Sequence, residues 1–196
     1  MTLLEPDKKG TLSVEEAINN RRSVREFEKA PITLKHVSQL LWAAQGKTSN
    51  NGFRAAPSAG ATFPLEVYLV AGEVEGLDTG LYKYIVSSHK LEKVKNGDIR
   101  KSLFEAALLQ DFILKAPASI VIAAVYERTA ARYRDRAPRY VYIEVGHVGE
   151  NIYLQCESLA LGTVAVGAFD DAKVKKALGI KEEPLYIMPI GKKKNK

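Results

Sequence analysis

Three stretches of this chain gather the residue types that anion binding requires. RRSVR at 21–25 places three arginines in five positions. A second run holds Arg128, Arg132, Arg134, Arg136 and Arg139 within 128–139. The third, Lys192 to Lys196, holds four lysines. A guanidinium is a planar fork that meets two phosphate or carboxylate oxygens at once, so arginines at this density suit a phosphorylated ligand. Other readings of the same residues are a helix C-terminus dressed with cations, worth about 0.3–1 kcal/mol to the dipole, or a solvated face. Between the basic stretches lie RAAPSAGATFPLEVY at 54–68, VGAFDD at 166–171 and PIGKK at 189–193. Their small residues allow a backbone to approach a flat ligand closely.

Several chemistries lack their motif. GxGxxG and GxxxxGK[ST] are absent, which removes the dinucleotide fingerprint and the P-loop. His36, His89 and His147 are scattered, and Glu144 with His147 makes one ExxH where a di-iron site needs two, so no metal site is expected. APSAG at 56–60 is like a nucleophile elbow, but Ala56 stands where the first glycine belongs. Cys156 is alone and forms neither an intrachain disulfide nor a thiolate site.

The 196 residues carry 29 Lys plus Arg against 23 Asp plus Glu, and four of the net +6 charges lie in the last five residues. The length suits one domain over 1–196, with 192–196 as a basic tail. The longest strongly apolar stretch, Ile120 to Tyr126, is far short of the roughly 20 residues of a membrane helix. The start, MTLLEPDKKG, meets charge and proline too early for a signal peptide. A cytoplasmic protein without membrane contact is expected.

These residues need elements to hold them. Ser13 with Glu16 is a capping box that starts a helix near Val14 and carries it to about Asn20. Thr33 caps a second helix, which Gly46 ends, and 47–64 is a long loop. Strands are expected at 65–71, 81–86 and 90–95, the last two forming a hairpin. Asp98 caps a helix through Leu114, and ASIVIAAV at 118–125 is a strand covered on both faces. The arginine run then leads into a long helix from about 139 to 161, stopped by Gly162, with Val141, Val145, Val148, Ile152, Gln155 and Leu159 on one face. A buried strand at 163–169, a short helix from Asp170 or Asp171 to Gly179, and a strand at 184–191 complete an α+β chain with a mixed sheet.

In this order and spacing, from Ser13 to Lys193, the segments resemble the FMN-dependent nitroreductase family. The resemblance is closest to its peptide-azoline dehydrogenase (SagB-type) branch, through RRSVR, LLWAAQG, APSAG, EVGH at 144–147, GAFDD and the final PLY–PIGK. It implies a nitroreductase-like α+β fold, a mixed central sheet flanked by helices, and an obligate homodimer with FMN at the interface. Arg21, Arg22, Ser23, Arg25 and Lys193 would then hold FMN. Arg21 and Lys193 or a neighbouring tail lysine would meet the phosphate, Ser23 the ribityl chain or pyrimidine edge, and Arg25 the N1 and O2 side of the ring. Pro57, Ser58, Ala59 and Gly60 would lie against the ring from the second subunit. Ala61 and Phe63 stand where the family often has Asn and Gln, which implies a more apolar pocket. Backbone at Gly167 and Ala168 would face flavin N5.

Phe63, Tyr133 and Tyr140 are candidates for the substrate side. The implied activity is ping-pong hydride transfer from NAD(P)H through N5 to a nitro, quinone or azoline-like acceptor, with no side-chain acid or base required. The 139–161 helix would form the dimer seam. The 128–139 arginines either frame the pocket mouth or form a solvated loop. A flavin-binding protein without turnover is an alternative; a nucleic-acid-binding module is another, with no helix-turn-helix, RNP or zinc pattern behind it.

Overall fold

The computed structural model describes residues 1–194. The Ser13 hydroxyl accepts from the Glu16 N–H at 3.1 Å, and the Glu16 carboxylate accepts from the Ser13 N–H at 2.8 Å. That reciprocal cap starts α1 (Val14–Asn20), which buries only Ala17 and leaves Val14 and Ile18 exposed. After β1 (Ile32–Thr33), Thr33 caps α2 (Leu34–Gln45), with Gly46 at its C-cap as expected.

The loop 47–64 leads into β2 (Leu65–Ala71), β3 (Val74–Glu75), β4 (Gly80–Ile85) and β5 (Lys90–Asn96). Then come α3 (Arg100–Ala106), α4 (Asp111–Lys115), β6 (Ala118–Ala124), α5 (Tyr126–Tyr133) and α6 (Ala137–Ser158). The chain closes with β7 (Leu161–Thr163), α7 (Asp171–Leu178) and β8 (Glu183–Lys192).

Six strands form one sheet in the order β5-β4-β2-β6-β8-β7, and every pairing in it is antiparallel. The mixed character expected of the sheet is therefore confined to its surroundings. Parallel pairing occurs in the small β1/β3 sheet and in the bridge between Ser23 and Thr163. All seven residues of β6 are buried, and they alternate between two cores. Ile120 and Ile122 join Leu40, Leu41, Val141 and Ile152 beneath α2 and α6. Val121 and Ala123 join Leu103, Ile113, Val174 and Leu178 beneath α3, α4 and α7.

Four expectations need correction. The helix expected over 98–114 is two helices, because Leu108 and Leu109 take left-handed φ of 56° and 59° and the Leu109 N–H turns back to the Phe104 carbonyl. Leucine is a strong helix former, so tertiary contacts and not propensity impose that break. The arginine run is not a loop but α5 followed by a 3-10 turn at Arg134–Arg136. The long helix ends three residues early, at Ser158, before Ala160 turns left-handed at φ 55°, and Gly162 lies inside β7. The strand expected at 163–169 pairs regularly only through Thr163, beyond which Val166 alone bridges to Ile187. Of the basic tail, Lys192 closes β8 and Lys193 bridges to Phe27, while 195–196 lie outside the described residues.

Candidate functional site

Past α1 the chain runs as a strap along the sheet edge. The Val24 N–H donates to the Thr163 carbonyl at 2.9 Å, and the Glu28 N–H donates to the Lys192 carbonyl at 3.0 Å. The approach is close because Gly162 has no side chain: a Cβ there would stand 2.7 Å from Val24 Cγ1 and 2.8 Å from Val24 Cβ.

Tyr153 on α6 locks the strap to the segment beyond β7. Its hydroxyl lies 3.0 Å from Ser23 Oγ and accepts from the Ala165 N–H at 2.8 Å. The Arg21 guanidinium sits 5.0 Å from the Tyr153 ring centroid and only 3.9 Å from Glu150, a loose contact. Arg25 is exposed and lies 5.7 Å from the Phe112 ring. Arg22 folds back on its own helix end, donating to the Asn19 and Arg21 carbonyls at 2.9 and 2.8 Å. Lys193 is engaged by the Glu157 carboxylate at 2.6 Å, and the Glu157 side chain is 7% exposed.

Gly167 and Ala168 follow on the same side and are exposed. The segment is pinned at both ends, by the Val166 N–H on the Ile187 carbonyl at 2.9 Å and the Asp170 N–H on the Ala106 carbonyl at 3.0 Å. Between those pins, the N–H groups of Gly167, Ala168 and Phe169 donate to no acceptor among the described residues. Thr163 Oγ1 is also buried without a partner there. Exposed N–H groups with no protein acceptor are open to solvent or to a ligand, and three in succession can receive an electron-rich ligand edge.

The 57–63 loop builds a second group. Ser58 Oγ accepts from the Phe63 N–H at 2.9 Å, and Gly60, Ala61 and Phe63 have φ of 58°, 55° and 46°. Gly60 is needed here twice over, since a Cβ would also stand 2.7 Å from the Tyr133 hydroxyl. Pro57 is exposed, and Ala59 accepts from the Thr62 N–H at 3.2 Å. Arg132 donates to the Gly60 carbonyl at 3.2 Å and Arg128 to the Phe63 carbonyl at 3.0 Å. Those two arginines clamp the loop from α5 while remaining exposed to solvent. Arg54 lies 4.0 Å from the Phe63 ring and donates to Gln45 at 3.0 Å. Tyr133 and Tyr140 meet edge to face at 4.8 Å, and the Tyr133 hydroxyl borders Gly60 of the loop that carries Phe63. Beneath them Glu144 is 2% exposed. Burial pushes its carboxyl above the ordinary range, against the pull of Ser58, Gln45 and Arg54.

Among the described residues, no hydrogen bond, ion pair or cation–π contact joins the 57–63 group to the strap. Tyr153 and Phe112 are contributors that the motifs did not mark, while Gln110 closes the AALLQ run that resembles the azoline branch and carried no assigned role. Tyr153 sits one residue past Ile152 of the apolar face, where a tyrosine's polar end commonly finds a partner.

An antiparallel six-stranded sheet between helices, with an arginine-bearing strap hydrogen-bonded along its β7–β8 edge, is a nitroreductase-like α+β fold. Residues 18–192 match the model of the nitroreductase family, and the chain belongs to that family. It is 48% identical over 182 residues to a nitroreductase-family protein of Methanocaldococcus jannaschii, covering 93% of this chain and 92% of that one. The microcin B17-processing protein of Escherichia coli is 24% identical, over 84% of this chain and 64% of its own. Among solved structures, a nitroreductase-family protein of Ralstonia eutropha superposes with TM-score 0.87 at 31% identity, covering 100% of this chain and 90% of its own. An NADPH:FMN oxidoreductase of Vibrio harveyi shares the fold with TM-score 0.67 at 21% identity, over 93% of this chain and 69% of its own. Among the described residues no helix is long and apolar enough to cross a membrane, and no cluster of His, Cys, Asp or Glu is placed to hold a metal ion.

Proposed function

We propose that this protein is an FMN-dependent oxidoreductase that takes electrons from NAD(P)H and passes them to a small organic acceptor of nitro, quinone or azoline-like chemistry. The observation that carries the reading is the run of unpartnered N–H groups at 167–169, on the same side as the loosely engaged cations of the strap. FMN, when bound, supplies hydride acceptance and release at N5 in two half-reactions that share one ring face.

The residues present fit that group. Arg21 meets the phosphate dianion, and Ser23 bonds the polar chain. Arg25 sets positive charge beside the pyrimidine edge, which favours a reduced ring that carries negative charge. The Gly167 and Ala168 backbone presents donors to N5. Arg22 and Lys193 act on the rim, because each already has protein partners. Pro57, Ser58, Ala59 and Gly60, with Phe63, Tyr133 and Tyr140, form the wall on which acceptor and ring rest and from which water is excluded.

That wall reaches the strap's ligand from a second copy of the chain. Among the described residues no polar contact joins the two groups within one chain, and α1 and α6 expose large apolar side chains among their polar ones: Val14 is 64% exposed, Ile18 58%, Tyr142 58% and Ile143 49%. A homodimer seamed along α6, working in the cytoplasm, completes two such sites.

The test is the visible spectrum of the purified protein after reconstitution with FMN, before and after anaerobic NADPH or NADH. The expected result is a bound oxidised-flavin band that the nicotinamide bleaches and a nitroaromatic or quinone restores. Failure to retain FMN overturns the reading; a retained band that neither nicotinamide bleaches makes the protein a flavin carrier.

A further inference from the structure

We propose that Gln110 is a positioning residue for this reaction, holding the 167–169 backbone so that its N–H groups face the flavin; the inference rests on the FMN reading above. Gln110 opens α4, outside every motif of the strap and the loop. Both N–H bonds of its side-chain amide are in use. One donates to the Ala107 carbonyl at 2.9 Å, and the other crosses 58 residues of sequence to the Ala168 carbonyl at 2.8 Å. The amide therefore cannot rotate without losing a partner.

The second bond fixes more than a carbonyl. In a trans peptide the C=O and the following N–H point in opposite directions. Drawing the Ala168 oxygen toward Gln110 turns the Phe169 N–H away from it, to the open side. Hydrogen bonding at the oxygen also polarises the same peptide unit and strengthens its N–H as a donor. With Val166 and Asp170 pinned by their own N–H groups, and the Phe169 side chain packed on the core, the Gln110 bond is the one hydrogen bond to the middle of the segment among the described residues.

The two leucines of the turn that carries Gln110 do not pack. Leu108 and Leu109 both stand in the left-handed region, at φ 56° and 59°, and are 62% and 63% exposed. Left-handed backbone is costly for leucine, and burial does not offset it here. What the turn achieves is placement: Gln110 reaches Ala168, and Phe112, two residues on, lies beneath the Arg25 guanidinium. One short connection thus supports both the donor segment and a cation of the strap.

The decisive variants are Gln110→Glu, which keeps the shape but has no N–H donor when ionised, and Gln110→Met, which removes the donors without adding charge. Two quantities are read. The first is hydrogen exchange of the Val166 and Asp170 amides in the protein without FMN, expected to quicken about fivefold in both variants as the segment loosens. The second is the ratio of dissociation constants for oxidised and reduced FMN, expected to change about tenfold, with affinity for the oxidised form held within about threefold. Variants that bind FMN with the wild-type ratio overturn this inference alone, whatever their exchange. A wild-type chain that binds no FMN overturns the proposed function and this inference with it. The Met variant decides the matter if the Glu variant does not fold.

Discussion

Gly162→Ala tests whether the strap is held against β7 by the absence of a side chain. The new Cβ would lie 2.7 Å from Val24 Cγ1 and 2.8 Å from Val24 Cβ, where ordinary contact begins near 3.4 Å, so roughly 0.7 Å must be found. A change of Val24 rotamer moves Cγ1 but leaves Cβ where it is, so the backbone of the strap has to shift. The contacts at risk are the 2.9 Å bond from the Val24 N–H to Thr163 and the 3.0 Å contact of Ser23 with Tyr153. Overpacking of this kind costs about 1–3 kcal/mol, which for a chain of this length lowers Tm by about 3–9 °C. The functional effect is the sharper one: Arg21, Ser23 and Arg25 move together, and FMN affinity falls about tenfold, or ~1.4 kcal/mol. Thermal unfolding and quenching of FMN fluorescence measure the two. The double variant Gly162→Ala with Val24→Gly moves the missing side chain across the contact and should recover most of the FMN affinity. A single variant that binds FMN like wild type with an unchanged Tm would refute the reasoning, as would a double variant no better than the single.

The arginines of the strap should separate in the same fluorescence titration. Arg21→Ala and Arg25→Ala weaken FMN binding about tenfold to a hundredfold each, the worth of a charge-assisted hydrogen bond, whereas Arg22→Ala changes it less than about threefold. Lys193→Met strands the Glu157 carboxylate, 7% exposed, and should cost about 2–3 kcal/mol in urea unfolding. That is less than for a fully buried pair, because Lys193 is 35% exposed, and adding Glu157→Gln should return most of it. Glu144 gives a pH signature. Its folded carboxyl titrates above the ordinary 4.5, so its contribution is fully present below that value and is lost as pH rises through the folded pKa. Glu144→Gln should flatten that decline in stability, and a wild-type slope in the variant would contradict it. Burial pushes the Cys156 thiol far up, so it should resist a thiol reagent in the native protein and react on unfolding.

What could be read from the sequence divides by the range of the interaction involved. Caps are local, and Ser13 with Glu16, Thr33, and Asp170 with Gly179 all mark helix ends where the structure has them. So does periodicity: β6 is a continuous apolar run because both its faces are covered. Errors arise where a distant contact overrides a local preference. Leu108 and Leu109 prefer helix, yet they break it so that Gln110 and Phe112 can reach the 166–170 segment and the strap. Gly162 was expected to stop a helix because a glycine just beyond an apolar periodicity usually does. Its use instead is the approach of Val24, from a segment some 140 residues earlier, which no window on the sequence contains. Likewise the 128–139 arginines carry no sign that the carbonyls of Gly60 and Phe63 await two of them.

The basic residues show why charge alone was a poor guide to the site. Each run splits when its partners are known. In the strap, Arg22 is spent on helix carbonyls, while Arg21 and Arg25 rest on aromatic faces. In the second run, Arg128 and Arg132 hold a loop. At the C-terminal end, Lys193 neutralises a nearly buried carboxylate. A cation over a ring gains about 0.5–1 kcal/mol at an exposed site and keeps all its N–H donors for another ligand. A guanidinium on carbonyls has partly used them. Availability, not density, therefore singles out Arg21 and Arg25. Those two flank Ser23 on the one segment that Tyr153 ties to the backbone leading into the free N–H groups of 167–169.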